Sequence, residues 1–192
     1  STPESGDPPP GRLAGAIEAC GLTFGIDRSE PILRDVSFDV SPGEFVVITG
    51  AMGAGKSMLV ECLLGVLAPT AGTVLLDGHD LGSLDGDAVR RQIGSILQLQ
   101  GTPLMPTTIR ENVTVGRPFT SNEVWSALDA VGVGKDVRAM ALGLDTHTSN
   151  DGSALSSGQR QQLLLARALI GDPRMLVWDA AMGALDAAAL DR

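Results

Sequence analysis

The apolar positions of the chain fall into short runs that change period several times. Residues 17–24, 36–40 and 45–49 are β-type runs separated by turn residues such as Ser41-Pro42-Gly43. Residues 55–67 instead place Met58, Leu59, Cys62, Leu63 and Val66 at helical spacing. A strand over 73–76 ends at the turn Asp77-Gly78, and 93–97 is a further short strand. From 107 to 142 the pattern is mostly helical: Thr120, Ser121 and Glu123 form a helix start, and Val124, Leu128 and Val131 share one apolar face. Residues 157–170 predict another helix, stopped by Asp172-Pro173, and the apolar run 175–178 ends in Asp179 as a strand buried on both faces would. Strands alternating with helices imply an α/β fold with a parallel sheet, interrupted by a helical insertion, and there is no internal repeat. Ahead of all this, residues 1–16 are rich in Pro, Gly and small polar side chains and read as a linker or disordered arm.

Composition narrows the chemistry. With 192 residues the chain is one domain, or one domain with an inserted lobe. Its 14 basic and 23 acidic side chains give a net charge of −9, which argues against a nucleic-acid surface. No Tyr, two Trp and four Phe leave little material for aromatic cages. Cys20 and Cys62 predict small buried hydrophobes in a reducing compartment, and with His79 and His147 as the sole histidines a Cys/His metal site is not expected. The longest apolar stretch, 58–68, is broken by Glu61 and is too short to span a bilayer, and the first residues lack the pattern of a signal peptide. The expectation is a soluble, cytosol-type chain.

Lysine occurs only at 56 and 135, and Lys56 sits in a motif. Thr49 ends an apolar run, and Gly50-Ala51-Met52-Gly53-Ala54-Gly55-Lys56-Ser57 leads into the predicted helix. This is G-x-x-x-x-G-K-[ST] in the order strand, loop, helix. Phosphate oxygens are wrapped by consecutive backbone N–H groups, so side chains must be absent where the loop closes, hence Gly50, Gly53 and Gly55. The helix N-terminus adds partial positive charge, Lys56 a full one at the β- and γ-phosphates, and Ser57 a hydroxyl for Mg²⁺. Asp179, ending a neighbouring strand, is placed to deliver a carboxylate to the same metal.

Leu155-Ser156-Ser157-Gly158-Gln159-Arg160-Gln161 precedes that strand and resembles the LSGGQ signature of ATP-binding cassette (ABC) domains. Gln98, after the run 93–97, looks like the Q-loop glutamine, and Ala184-Leu185-Asp186 looks like the D-loop. Residues 104–113, LMPTTIRENV, are similar to exporter-type cassettes, most of all to bacteriocin-type peptide exporters. The resemblance covers residues 17 to 192 and implies a RecA-like P-loop NTPase core with a parallel sheet, an antiparallel β subdomain and a helical subdomain at about 100–160. It further implies MgATP as cofactor, held by residues 50–57 with Met58 and Ile26, with Ser57, Gln98 and Asp179 at the metal. Two cassettes are expected to dimerise head to tail, so that Ser156, Ser157, Gly158 and Gln159 face the partner's ATP. Gln98 would sense metal and water while its loop leans on a transmembrane domain, placing the chain at the cytoplasmic face of a membrane.

The sequence departs from the family pattern at several points. Ala180 stands where a catalytic Glu normally follows the Walker B Asp, and a methyl group can neither accept a proton nor orient water. General-base assistance contributes about 10²–10⁴ in rate, so an ABC-type ATPase site built on this chain's own loop is expected to be slow. Ile26 replaces the aromatic that stacks on adenine, Met58 the usual Thr, Asn150 an acidic residue before the signature, and Ser157 the first Gly of the signature pair. The chain stops six residues after Asp186, before the expected switch-histidine region. A kept signature with a lost base suits the impaired half of a heterodimeric exporter. Two other readings stand beside it: a soluble ABC-type nucleotide-gated module without a membrane domain, and a small-molecule kinase, which gives residues 155–159 no role.

Overall fold

A computed structural model describes residues 6–9, 11–25, 30–97, 104–148 and 155–179. The chain forms two compact units, residues 1–93 and 94–192.

The first unit is organised by a four-stranded sheet in the order β2-β1-β3-β4, with β1 Ile17–Phe24, β2 Leu33–Val40, β3 Ala71–Leu76 and β4 His79–Asp80. All three pairings are antiparallel: Ile17 faces Val40 on one side and Leu76 on the other. Val74 and Leu76 alternate inward as a half-covered sheet requires, whereas in β1 the buried Ala19 and Leu22 stand three apart across a break in register. Gly72 sits where β1 and β3 come closest; a Cβ there would lie 2.3 Å from the Gly21 carbonyl oxygen, and its φ is +82°. Asp77 and Gly78 both have positive φ, the primed two-residue hairpin that joins β3 to β4 as expected. Helix α1, Lys56–Leu63, buries Leu59, Val60, Cys62 and Leu63. It ends earlier than the apolar spacing predicted, because Gly65 enters the left-handed region (φ +64°) just past the C-cap Leu64 and its N–H turns back to the Cys62 carbonyl.

The Pro- and Gly-rich start of the chain has specific anchors. Asp7 bridges Leu84 in parallel, and the N–H groups of Ala14, Gly15 and Ala16 all donate to the Asp77 carboxylate at 2.7–3.0 Å. Gln92 spans the same stretch, accepting from Leu13 N–H and donating to the Gly11 carbonyl, while Leu13 is buried. A short helix, α2 Gly86–Arg90, capped by Asp85, follows the 3-10 turn Leu81–Ser83.

Two further expectations are corrected in this unit. Residues 45–49 form no strand: they are exposed throughout, Phe45 at 86 %, and among the described residues their backbone enters no ladder. A continuous apolar run reports hydrophobicity; a strand also needs neighbours for its N–H and C=O groups. Cys20 also differs. It is half-buried and its Sγ donates to Glu18, whose carboxylate holds the thiol above its usual pKa, whereas burial raises the enclosed Cys62. Neither is a poised thiolate.

The second unit pairs β5, Ile93–Leu97 (whose first residue closes the first unit), with β6, Met175–Asp179, and among the described residues carries four α-helices: α3 Ile109–Thr114, α4 Ser121–Ala130, α5 Gly134–Ala139 and α6 Ser157–Leu169. Thr108/Glu111, Thr120/Glu123 and Ser156/Gln159 form reciprocal capping boxes, which fix where α3, α4 and α6 begin. Ile109, Val113, Val124, Leu128, Val133, Val137, Leu163 and Ala166 make one buried cluster, with Leu144 and Leu155 added from the loops. On its surface Arg138 stacks 4.4 Å over Trp125 and grips Asp129 with both nitrogens, at 2.6 and 2.7 Å; that hydrogen bond holds the Asp129 carboxyl below its usual pKa. Residues 107–109 and 146–148 run side by side, joined by Ile109 N–H to the Thr146 carbonyl and Thr148 N–H to the Thr107 carbonyl. No helix among the described residues is long and apolar enough to cross a membrane.

Candidate functional site

The loop of residues 50–57 lies in the first unit at the start of α1. Gly50, Ala51, Met52, Gly53 and Ala54 are exposed, and Met52 projects wholly into solvent. Gly55 is the N-cap of α1 at φ +87°, and a Cβ there would stand 2.9 Å from Ile32 and Leu33, so only glycine fits both the backbone and the packing. No side chain caps α1, and its first turn carries no acidic residue. The opening N–H groups of this helix are therefore left for a ligand, and an anion is the ligand they favour. Lys56 curls back and donates from Nζ to the carbonyls of Gly50 (2.9 Å) and Ala51 (2.8 Å). This keeps a full positive charge against the backbone of the loop, where an incoming phosphate would exchange for the two carbonyls. Ser57 is exposed and Met58 half-buried against the unit, so the hydroxyl that could ligate a metal faces outward. These residues fit a bound nucleoside triphosphate with its magnesium.

Asp179 closes β6 in the second unit. Among the described residues there is no cluster of three or more His, Cys, Asp or Glu, so a metal here would depend on phosphate oxygens, a hydroxyl and single carboxylates, as Mg²⁺ at a nucleotide does. Ile26, Gln98 and Ala180 lie outside the described residues.

The start of α6 forms the second feature. Ser156 is its N-cap: Oγ accepts from Gln159 N–H at 3.2 Å, and Gln159 Oε1 accepts from Ser156 N–H at 2.9 Å. Gln159 also donates to Asp136 on α5, which locks the cap against the helical layer. Ser156, Ser157 and Gly158 are exposed, and a Cβ on Gly158 would meet nothing nearer than Ser156 Oγ at 4.0 Å. The Ser156 hydroxyl thus serves as an ordinary cap while keeping its proton free to donate outward. An exposed helix N-terminus with a serine hydroxyl is suited to an anion presented from outside the chain.

Reading the sequence alone missed a buried polar group packed between α3 and the last turn of α6. Asn112, on the inner side of α3, is fully buried and bonds to Met105, Thr108, Thr148 and Arg167. Its signal was an amide at the i+3 place of an apolar stripe, between Ile109 and Val113.

Comparison with known proteins accords with this geometry. The profile of the ABC transporter family matches residues 33–183. The chain is 38 % identical over 179 residues to a beta-(1→2)glucan export ATP-binding/permease protein of Rhodopseudomonas palustris, covering 93 % of this chain and 29 % of the relative. It is 38 % identical over 179 residues to a cyclolysin secretion/processing ATP-binding protein of Bordetella pertussis, covering 91 % and 24 % respectively. An ATP-dependent lipid A-core flippase of Burkholderia orbicola matches at 38 % over 185 residues, 96 % of this chain and 31 % of the flippase. The chain thus spans about a quarter to a third of the length of these relatives. Among solved structures, a bacterial Atm1-family ABC exporter with ATP bound superposes with a TM-score of 0.82 at 30 % identity, over 98 % of this chain and 33 % of that one.

Proposed function

The chain belongs to the ABC transporter family as an exporter-type ATP-binding domain, and from that premise we propose that it binds MgATP on residues 50–57 and is the catalytically impaired half of a heterodimeric exporter. The observation that carries the proposal is the uncapped N-terminus of α1, with the Lys56 ammonium bonded to the carbonyls of Gly50 and Ala51; the sequence adds an alanine at 180, directly after Asp179. Lys56 and the first N–H groups of α1 would hold the phosphates, and Ser57, Asp179 and Gln98 the magnesium. When bound, MgATP supplies the phosphoanhydride bond whose cleavage resets the transporter. Binding draws on charge, backbone donors and helix dipole, all of which this chain keeps. Hydrolysis also needs a group to orient or deprotonate water, and Ala180 offers none.

The signature side supports the second half of the reading. Ser156 and Gly158 stand open to solvent, ready to meet a nucleotide on a partner cassette that retains its own base. The partner, a transmembrane domain and a position at the cytoplasmic face of a membrane follow from the exporter reading, as does cargo in the form of a peptide or another exported molecule. The test is steady-state ATPase activity of the wild-type chain and of Ala180→Glu. We expect slow wild-type turnover and a gain of about 10²-fold in the variant. Brisk wild-type hydrolysis would overturn the impaired-half assignment.

A further inference from the structure

We propose that Asn112 is a positioning residue for the signature, its side-chain amide fixing the approach to α6 against the segment that follows residues 98–103. The proposal rests on the reading of Ser156–Gly158 as a nucleotide-facing surface. Three separate stretches of the second unit meet at this one side chain. Oδ1 accepts from Met105 N–H at 2.8 Å and from Arg167 Nη2 at 3.0 Å. Nδ2 lies within bonding distance of the Met105 carbonyl (2.9 Å), the Thr108 carbonyl (3.0 Å) and Thr148 Oγ1 (2.9 Å). Thr148 Oγ1 in turn reaches the carbonyls of Met105 (2.6 Å) and Thr107 (3.0 Å), and Arg167 Nε donates to the Asn112 backbone carbonyl at 2.6 Å.

The backbone partners fix the amide's orientation. Its oxygen faces two N–H donors and its nitrogen faces two backbone carbonyls, so a flip would lose those four bonds, and only the Thr148 hydroxyl could reverse its role. Met105 follows in sequence the stretch that holds Gln98, Thr148 precedes the signature in sequence, and Arg167 lies in the last turn of α6, the helix whose first turn carries the signature. The two-rung ladder between 107–109 and 146–148 sets the first two side by side, and Asn112 locks that ladder to α6 through Arg167. Asn112 and Thr148 are both buried, so the bonds are shielded from water and a broken one leaves an orphaned group. A displacement at Met105 must then move Thr148 and α6 with it.

Thr146 supplies a control on the same stretch, since its Oγ1 is buried with no partner among the described residues. The experiment is amide hydrogen exchange of the whole chain, with MgATP affinity measured alongside, for Asn112→Ala, Thr148→Val, Thr148→Ser and Thr146→Val. We expect Thr148→Val to speed exchange about five- to tenfold at Ile109 and Thr148, which report the ladder, and also at Gln159 and Arg160, which report the start of α6. Asn112→Ala should do the same more strongly. Thr148→Ser should restore protection, Thr146→Val should leave it intact, and neither Leu59 exchange nor MgATP affinity should move in any variant. Faster exchange confined to the ladder, or an even rise that includes Leu59, overturns the proposal. Should Asn112→Ala fail to fold, the Thr148→Val and Thr148→Ser pair decides alone. Absence of MgATP binding in the wild type would defeat the functional reading and leave this exchange pattern standing.

Discussion

Val115 ends α3 in the left-handed region, at φ 50° and ψ 47°, and Gly116 follows it there at φ 72°. Glycine tolerates that conformation, but a β-branched side chain does so at a cost of about 1–2 kcal/mol. The half-exposed valine recovers little of this by packing, so Val115→Asn is expected to stabilise the chain by about 1 kcal/mol, seen as a higher urea midpoint. An unchanged or lower midpoint would show that the corner is not strained. At this scale the sequence was an uneven guide. The glycines and Lys56 of the phosphate loop were legible because each answers a local demand, as the geometry at Gly55 shows. Asn112 was not. A pattern of apolar and polar positions reads an amide as a surface residue, and its partners Thr148 and Arg167 lie 36 and 55 residues away.

Among elements, those defined by local signals were readable. Thr120 with Glu123 announced α4, and Asp77-Gly78 the turn that ends β3, since each satisfies its own backbone within a few residues. The run 45–49 was misread as a strand because pairing depends on neighbours that hydrophobicity does not reveal. The segment from Gly6 to Ala16 is a third kind of case. Its composition suggests a free linker, but its N–H groups are gathered by Asp77 more than sixty residues on. A carboxylate accepting three backbone donors at a turn anchors that segment to the sheet. Asp77→Ala removes all three acceptors and should accelerate tryptic cleavage after Arg12, with Asp77→Asn intermediate, as read by timed digestion. A cleavage rate equal to wild type would mean that Gln92 and the Asp7–Leu84 bridge hold the segment by themselves.

For the whole molecule, the family was legible because its motifs recur in a fixed order, and the match over residues 33–183 bears out an exporter-type ATP-binding domain. The helical stretch 107–142 was legible in outline, since α3, α4 and α5 fall within it. What one chain does not carry is the composite site itself, because Ser156 is proposed to face a nucleotide held by another cassette. The claim on which the account stands is nearer to hand: residues 50–57 hold a nucleoside triphosphate. Isothermal titration of the folded chain with ATP and magnesium tests it directly. The account predicts saturable binding that weakens about 10- to 100-fold in Lys56→Ala, the loss of one charged donor to phosphate. No heat of binding in the wild type, or equal affinity in the variant, would contradict it.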